Sequence, residues 1–394
     1  MSAQNDSRAV MTLDAGGTNF VFSAMRGNRS VVEPFVLPAN ADNLEQSLAS
    51  ITAGFRRVQE SLAEPSAAIS FAFPGPCDYF SGIVINPGNL PAYRDVPLTA
   101  ILEDTFGLPT FINNDGDLFA YGEATAGFLP YVNGLLENAG SPKRFRNLLG
   151  ITLGTGFGGG LVRDGELIVG DNSSAGEVWL LRHKLDRHRN AEEGASIRAV
   201  RRVYATATGI PFEQAPQPKD IFAIAEGSVH GSAQGSAHGP AQGSAQGSAQ
   251  GSAEGNREAA REAFRRLGEV AGDAIAEAIT LLDGLVVIGG GISGAHRQFL
   301  PAIVAEMNGS YIAPDGEKFR RLIPQAFNLE DPAELATFLK GEAKDVTVPG
   351  SGRQVRFDAM PRVGVGISRL GTSEATAIGA YNYALSRLDR KEVV

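Results

Sequence analysis

The chain of 394 residues contains one cysteine, Cys77. That excludes an internal disulfide and any metal site built from several thiolates, and it suits a reducing compartment. No apolar run approaches the roughly 18 residues that span a bilayer. The opening stretch MSAQNDSRAV lacks a basic start followed by an apolar segment, so a secretory leader is not expected and the cytoplasm is the expected location. An excess of positive charge is missing too. The net charge of -9 and pI near 5.2 argue against general nucleic-acid or anionic-membrane binding. The pattern G-x-x-x-x-G-K-[ST] occurs nowhere, which removes a P-loop.

What is present fits a soluble protein with two sizeable cores: 43% of residues are hydrophobic and 20% charged. From Gly227 to Gly255 glycine recurs every fourth residue in GSVHGSAQGSAHGPAQGSAQGSAQGSAEG. Repeated glycine disfavours helix by up to about 1 kcal/mol per position, so an exposed, mobile loop without chemistry is expected there. A helical interaction arm is the other reading, but no apolar stripe supports it. Asn256 can then cap a helix whose apolar positions are Ala263, Phe264, Leu267, Val270, Ala271, Ala274, Ile275, Ala278, Ile279 and Leu282. It leads into the strand and turn of LVVIGGGISG and a second helix over AHRQFLPAIVAEM, a unit typical of a mixed α/β domain.

Two glycine turns share one plan. MTLDAGGTNFVFSAM runs as an apolar strand to Asp14, turns at Ala15, Gly16 and Gly17, and continues as a strand. NLLGITL ends at GTGFGGG, residues 154 to 160, and LVRDG follows as a second strand. Backbone amides in such turns can bind phosphate oxygens, and two turns facing a cleft would hold a polyphosphate from both sides. Either turn alone is explained by a structural hairpin. Both GTGFGG and GGGISG fit G-x-G-x-x-G. The first is followed by a strand, and neither has a strand-end carboxylate about 20 residues further on, so a dinucleotide site is disfavoured.

A third stretch, TFINNDGDLFAYGEATAG, ends an extended segment at Asn113, Asn114 and Asp115 and starts a helix there, with either asparagine able to cap it and Asp117 in its first turn. A helix N-terminus favours negative charge, which suits Asp115 as a proton acceptor; a simple cap is the plainer explanation.

The segments LDAGGTNF, FPGPCDYFSGIVINPGNLPAYRDVPL, INNDGDLFAYGE, LGTGFGGGLVRDGEL, SSAGEV, VVIGGGIS and SEATAIGAYNYAL resemble, in this order, the ROK family of sugar kinases and sugar-responsive regulators. The likeness spans nearly the whole chain apart from the repeat and an expanded stretch from Gly316 to Arg369. It implies a duplicated actin/hexokinase-like, ribonuclease H-like α/β fold with a cleft between two domains. The small domain would comprise residues 1–117 plus 372–394, with the helix near Glu374 to Leu388 returning to it, and the large one 118–371, carrying the 227–255 loop.

The resemblance further implies ATP-dependent phosphorylation of a hexose, glucose foremost, at its primary hydroxyl, with Asp115 as general base. Asn114, Glu177, Glu192 and Asn89 would bind the sugar, Glu192 being preferred to Glu193 for its distance to Ser196. Asp14 would position magnesium, while Gly16, Gly17, Thr18, Thr155 and Gly156 face phosphates and Gly290 and Gly291 line the adenosine side. A homodimer is also implied. The alternative is a catalytically silent sugar-binding regulator. Regulators of the family carry a helix-turn-helix domain before the core, and only about thirteen residues precede Asp14, too few for one. The basic cluster from Arg182 to Arg202 is explained by a solvated helix face as well as by nucleic acid.

One departure is plain. Many members carry G-E-x-G-H and a cysteine zinc cluster, whereas this chain reads GEVWLLRHKLDRHRNAEEGAS, with Leu180 in place of the zinc-linked histidine. His183 and His188 are read as surface residues, and packing of Trp179, Leu180 and Leu181 is expected to hold the loop. The purified protein should therefore contain no stoichiometric zinc and regain activity with magnesium alone after chelation. One zinc per chain in elemental analysis would contradict this and restore both histidines as ligand candidates.

Overall fold

The computed structural model describes residues 3–228 and 253–390. The first sheet is built from β1 (Ala9–Ala15), β2 (Asn19–Arg26), β3 (Arg29–Pro38), β4 (Ser66–Ala72) and, after the short β5 (Cys77–Asp78) and β6 (Ile83–Val84), β7 (Thr110–Asn113), with α1 (Leu44–Ser61) and α2 (Leu98–Phe106) between them. The chain continues through α3 (Asp115–Thr125) and α4 (Phe128–Asn138) into β8 (Leu148–Leu153), β9 (Phe157–Arg163) and β10 (Glu166–Ile168). Helices α5 (Ile197–Thr208), α6 (Pro218–Glu226) and α7 (Ala253–Leu282) precede β11 (Leu285–Gly289) and α8 (His296–Met307). Two hairpins, β12 (Ser310–Ile312) with β13 (Lys318–Arg320) and β15 (Ala343–Thr347) with β16 (Gln354–Asp358), flank β14 (Gln325–Asn328) and α9 (Pro332–Lys340). Strand β17 (Arg362–Ile367) and α10 (Thr372–Asp389) end the fold.

The two large sheets repeat one topology. The first runs β3-β2-β1-β4-β7 and the second β10-β9-β8-β11-β17-β14. In each, three antiparallel strands give way to parallel ones. Central strands such as β11 are buried along their length, as parallel strands covered on both faces must be. Phe22, Phe55 and Phe71 anchor the first core, with the Phe22 and Phe55 rings edge-to-face at 5.3 Å. The second core packs β8 and β11 against α7 and α8 through Leu267, Ile275, Ile288 and Ile303.

The apolar face expected for α7 is buried, Ala278 only partly. Its start differs: the helix begins at Ala253, so Asn256 lies inside it and does not cap it. Helix there also overrides the loop expected for the last residues of the repeat, whose stretch from 229 to 252 lies outside the described residues. The second glycine turn is shorter than the motif, because β9 starts at Phe157 and Gly158, Gly159 and Gly160 belong to the strand. Among the described residues no helix is long and apolar enough to cross a membrane.

Helix α3 joins the two halves. Every residue from Gly116 to Ala124 is buried, between β9 on one side and α10 on the other. A Cβ on Gly160 would stand 2.6 Å from the Gly116 carbonyl oxygen, and one on Gly379 of α10 would overlap the Leu118 carbonyl. Gly160→Ala should therefore destabilise the protein by about 1–3 kcal/mol, the range for overpacking a tight contact, and lower the midpoint of chemical denaturation. An unchanged midpoint would mean that α3 has room to move.

Candidate active site

Asn114 caps α3 from an extended conformation, its Oδ1 accepting the Gly116 N–H at 2.8 Å. With Oδ1 engaged, the side chain also hydrogen-bonds the Tyr79 hydroxyl, and one of its two Nδ2–H groups remains as a donor. Asp115 is the first helical residue, and its Oδ1 accepts the same amide at 2.9 Å. The buried helix thus ends with an exposed carboxylate at a dipole end that favours negative charge.

A cleft of about 430 Å³ opens in front of it, lined by Asn114, Asp115, Thr155, Gly156, Glu177, Glu192 and Gly290 among the residues singled out in the sequence. Asp14, Gly16, Gly17, Thr18, Asn89 and Gly291 are not in that lining. Asn89 lies against the first glycine turn, where a Cβ on Gly17 would stand 2.8 Å from its carbonyl oxygen. That turn is closed by the Gly16 N–H donating to the Asn19 carbonyl at 3.0 Å. Gly291 lies by the second turn, its nitrogen 3.8 Å from a Cβ on Gly154.

The second turn is tied to the Glu192 segment. Phe157 N–H donates to Glu192 Oε2 at 3.1 Å, and Ile197 N–H to the Gly154 carbonyl at 2.8 Å. A Cβ on Gly156 would stand 2.7 Å from Glu192 Oε2, so a side chain there would push the carboxylate aside. Glu193 is paired with Arg198 and Arg202 and does not line the cleft. Burial would raise its carboxyl, but the Arg202 hydrogen bond and the charge of Arg198 hold it below its usual value.

Further residues belong to the cleft without having been read as site residues from the sequence. Trp179, expected only to pack, lines it and donates Nε1–H to Glu177 Oε2. Thr372 Oγ1 accepts the Gly290 N–H at 2.8 Å, a contact open because Gly290 takes φ +89°. Thr376, one turn on in α10, adds a hydroxyl. SEATAIGAYNYAL pointed to this helix start, but the partner at Gly290 is 82 residues away.

The loop after Glu177 is held differently from expectation. Leu180 is 59% exposed, while Trp179 and Leu181 contact the core. His183 is half-buried rather than a surface residue, and its Nδ1 accepts the N–H groups of Leu185 and Asp186, both at 3.0 Å. Burial lowers its pKa, consistent with a neutral ring accepting at that nitrogen. His188 is exposed. In the basic cluster, Arg198 and Arg202 pair with Glu192 and Glu193, and Arg201 donates to the Ala215 carbonyl.

Negative charge gathers in the cleft. Asp14 still meets solvent, yet partial burial and, second, the charge of Asp115 push its carboxyl above the ordinary value. Asp117 is 4% exposed, and its carboxyl is raised well above the ordinary 3.8 by burial first and then by Glu177 and Asp115. Its Oδ1 has no hydrogen-bond partner among the described residues. A carboxyl whose folded pKa is raised favours folding at low pH and loses that contribution as pH climbs from 3.8 through the folded value. Asp117→Asn should thus gain thermal stability over wild type progressively through that window. A difference between the two melting temperatures that stays constant with pH would contradict this.

Comparison with known proteins places these features in context. The ROK family profile matches residues 10–328. A glucokinase of Halalkalibacterium halodurans is 28% identical over 43% of this chain and 49% of its own length. An N-acetyl-D-glucosamine kinase of Vibrio cholerae is 30% identical over 44% of this chain and 52% of its own length. The chain thus spans about half the length of these curated relatives. The crystal structure of a glucokinase from Parabacteroides distasonis is 49% identical, with a TM-score of 0.85, covering 98% of this chain and 99% of that one. The mixed α/β arrangement expected from the sequence, of the actin/hexokinase-like kind, is the one observed.

Proposed function

The chain belongs to the ROK family, and we propose that it is an ATP-dependent hexose kinase acting on a primary hydroxyl, with glucose the first sugar to test. One observation carries this reading: Asp115, Asn114, Glu177, Glu192 and the Thr155–Gly156 turn face one cleft. The names of the relatives support a hexose or an amino sugar. Residues 1–117 with 372–394 and residues 118–371 form the two sides of the cleft in this proposal, and a cytoplasmic homodimer is its expected form.

Asp115 accepts the proton of the primary hydroxyl as that oxygen forms its bond to the γ-phosphorus and the bond to the ADP oxygen breaks. The proton then passes to solvent. Asn114 donates Nδ2–H to the sugar, since its Oδ1 is spent on the cap. Glu177 and Glu192 accept from other hydroxyls, each already oriented by a protein donor, and Asn89 stands at the rim. Gly16, whose own N–H is spent on Asn19, faces the phosphates with the amides of Gly17 and Thr18 from one side, and those of Thr155 and Gly156 face them from the other. Gly290 and Gly291 line the adenosine side.

Magnesium fits the donors present. Partial burial and then the charge of Asp115 raise the Asp14 carboxyl, a cost that a cation beside it would relieve, and among the described residues no group of three or more metal-ligating side chains exists. One or two carboxylates completed by substrate phosphates and water is the usual magnesium arrangement. Held by Asp14, the ion would supply positive charge to the phosphate oxygens.

A coupled assay for ADP with a panel of hexoses tests the reading. Hexose binding without ADP release would favour the silent regulator. Asp115→Asn should retain sugar affinity and lose about a hundredfold or more in kcat, the scale for loss of a general base. Asp14→Asn should chiefly weaken use of magnesium-nucleotide, and an unchanged magnesium dependence would remove Asp14 from that role.

A further inference from the structure

No cysteine cluster supports the segment bearing Glu192, and a chain of ion pairs occupies that part of the structure. Ala191–Glu193 form a single 3-10 turn capped by Asn190, and α5 begins after Ser196. Arg198, in the first turn of α5, sends Nη2 to Glu192 Oε1 at 2.6 Å and to Glu193 Oε1 at 2.8 Å. Its Nε reaches Glu193 Oε1 at 3.1 Å, and Arg202 Nη2 holds Glu193 Oε2 at 3.0 Å. The Glu192 backbone is fixed as well, its carbonyl accepting Ser196 Oγ–H at 2.8 Å.

Both carboxylate oxygens of Glu192 are therefore committed, Oε1 to Arg198 and Oε2 to the Phe157 amide of the second glycine turn. Each retains a lone pair for a ligand hydroxyl. The guanidinium holds the oxygen that the turn does not, and it is not part of the cleft lining. A half-exposed ion pair adds little to global stability, so the consequence of this one is local: it selects one rotamer of a flexible side chain before ligand arrives. Binding then escapes the cost of ordering that side chain. Glu193, held by Arg202, in turn orients Arg198, which explains two adjacent glutamates of which one faces the cleft.

We propose that Arg198 is a positioning residue of the sugar site, fixing the Glu192 carboxylate against the second glycine turn so that it meets a hexose hydroxyl already oriented. The inference rests on the hexose-kinase reading above. Arg198 touches neither sugar nor nucleotide, and its effect runs through Glu192 alone.

The test uses the full-length protein and a hexose that the wild type accepts, with glucose as the first probe. Binding without nucleotide is read from the fluorescence of Trp179, the single tryptophan of the chain, which lines the same cleft. Arg198→Met should raise both the Kd and the KM for hexose by about tenfold, the scale of ordering one or two side chains. Its kcat should stay within about twofold and its KM for ATP should not change, a division that general loosening would not produce. Arg198→Lys should recover part of the affinity, and Glu193→Gln should give a smaller rise. If the methionine variant does not accumulate, Arg198→Gln is read in the same way. Hexose affinity equal to wild type in these variants, or equal losses for hexose and ATP, overturns the proposal. A wild type that binds no hexose overturns the kinase reading itself, and that result appears before any variant is made.

Discussion

Helix α3 can carry Asp115 to the mouth of the cleft only because β9 places glycine, not a larger residue, beneath its first turns. A Cβ on Gly160 would press on the backbone of Gly116 and Asp117, and from the opposite side Gly379 lets α10 settle on Leu118. A helix buried on every side has no polar face to orient it, so its position is set by what it touches. Here three backbones in close contact fix where the helix ends, and with it where Asn114 and Asp115 stand relative to the turn at Thr155 and Gly156.

The second constraint is charge. Asp115, Glu177 and Glu192 line the cleft, with Asp117 buried close enough to Glu177 and Asp115 to feel their charge and Asp14 close enough to feel Asp115, a set that by itself would repel a polyphosphate. Their environments divide them. Burial favours the neutral form of Asp117, Arg198 and a backbone amide compensate Glu192, and Asp14 stays in contact with solvent beside Asp115. A hydroxyl-rich ligand, as proposed, would find oriented acceptors on one side. In the proposed function, backbone amides and a cation at Asp14 would offer positive potential to the phosphates on the other.

Much of this was legible in the sequence where the signal is local. The strand before Asp14, the cap at Asn114 and the buried face of α7 follow from spacing and from residue type within a few positions. What was not legible depends on distant partners. The glycines of GTGFGGG read as turn because glycine is the usual turn residue, yet Gly160 is needed in a strand because α3, some forty residues earlier, lies against it. Leu180 was expected to pack and His183 to face solvent. The reverse holds, because the loop closes around two backbone amides that a half-buried imidazole can accept and a leucine cannot. The link from Gly290 to Thr372 likewise joins the ends of two elements whose neighbourhood only the folded sheet creates.

The central claim is that Asp115 stands where a sugar hydroxyl must give up its proton, with Glu192 fixed on the same sugar. A crystal structure of the chain with glucose and a non-hydrolysable ATP analogue tests it most directly. The account predicts the primary hydroxyl within about 3.2 Å of an Asp115 carboxylate oxygen, the reach of a general base, and another hydroxyl on Glu192 with Arg198 still behind it. A sugar whose primary hydroxyl points away from Asp115, or that leaves Glu192 without contact, would contradict it.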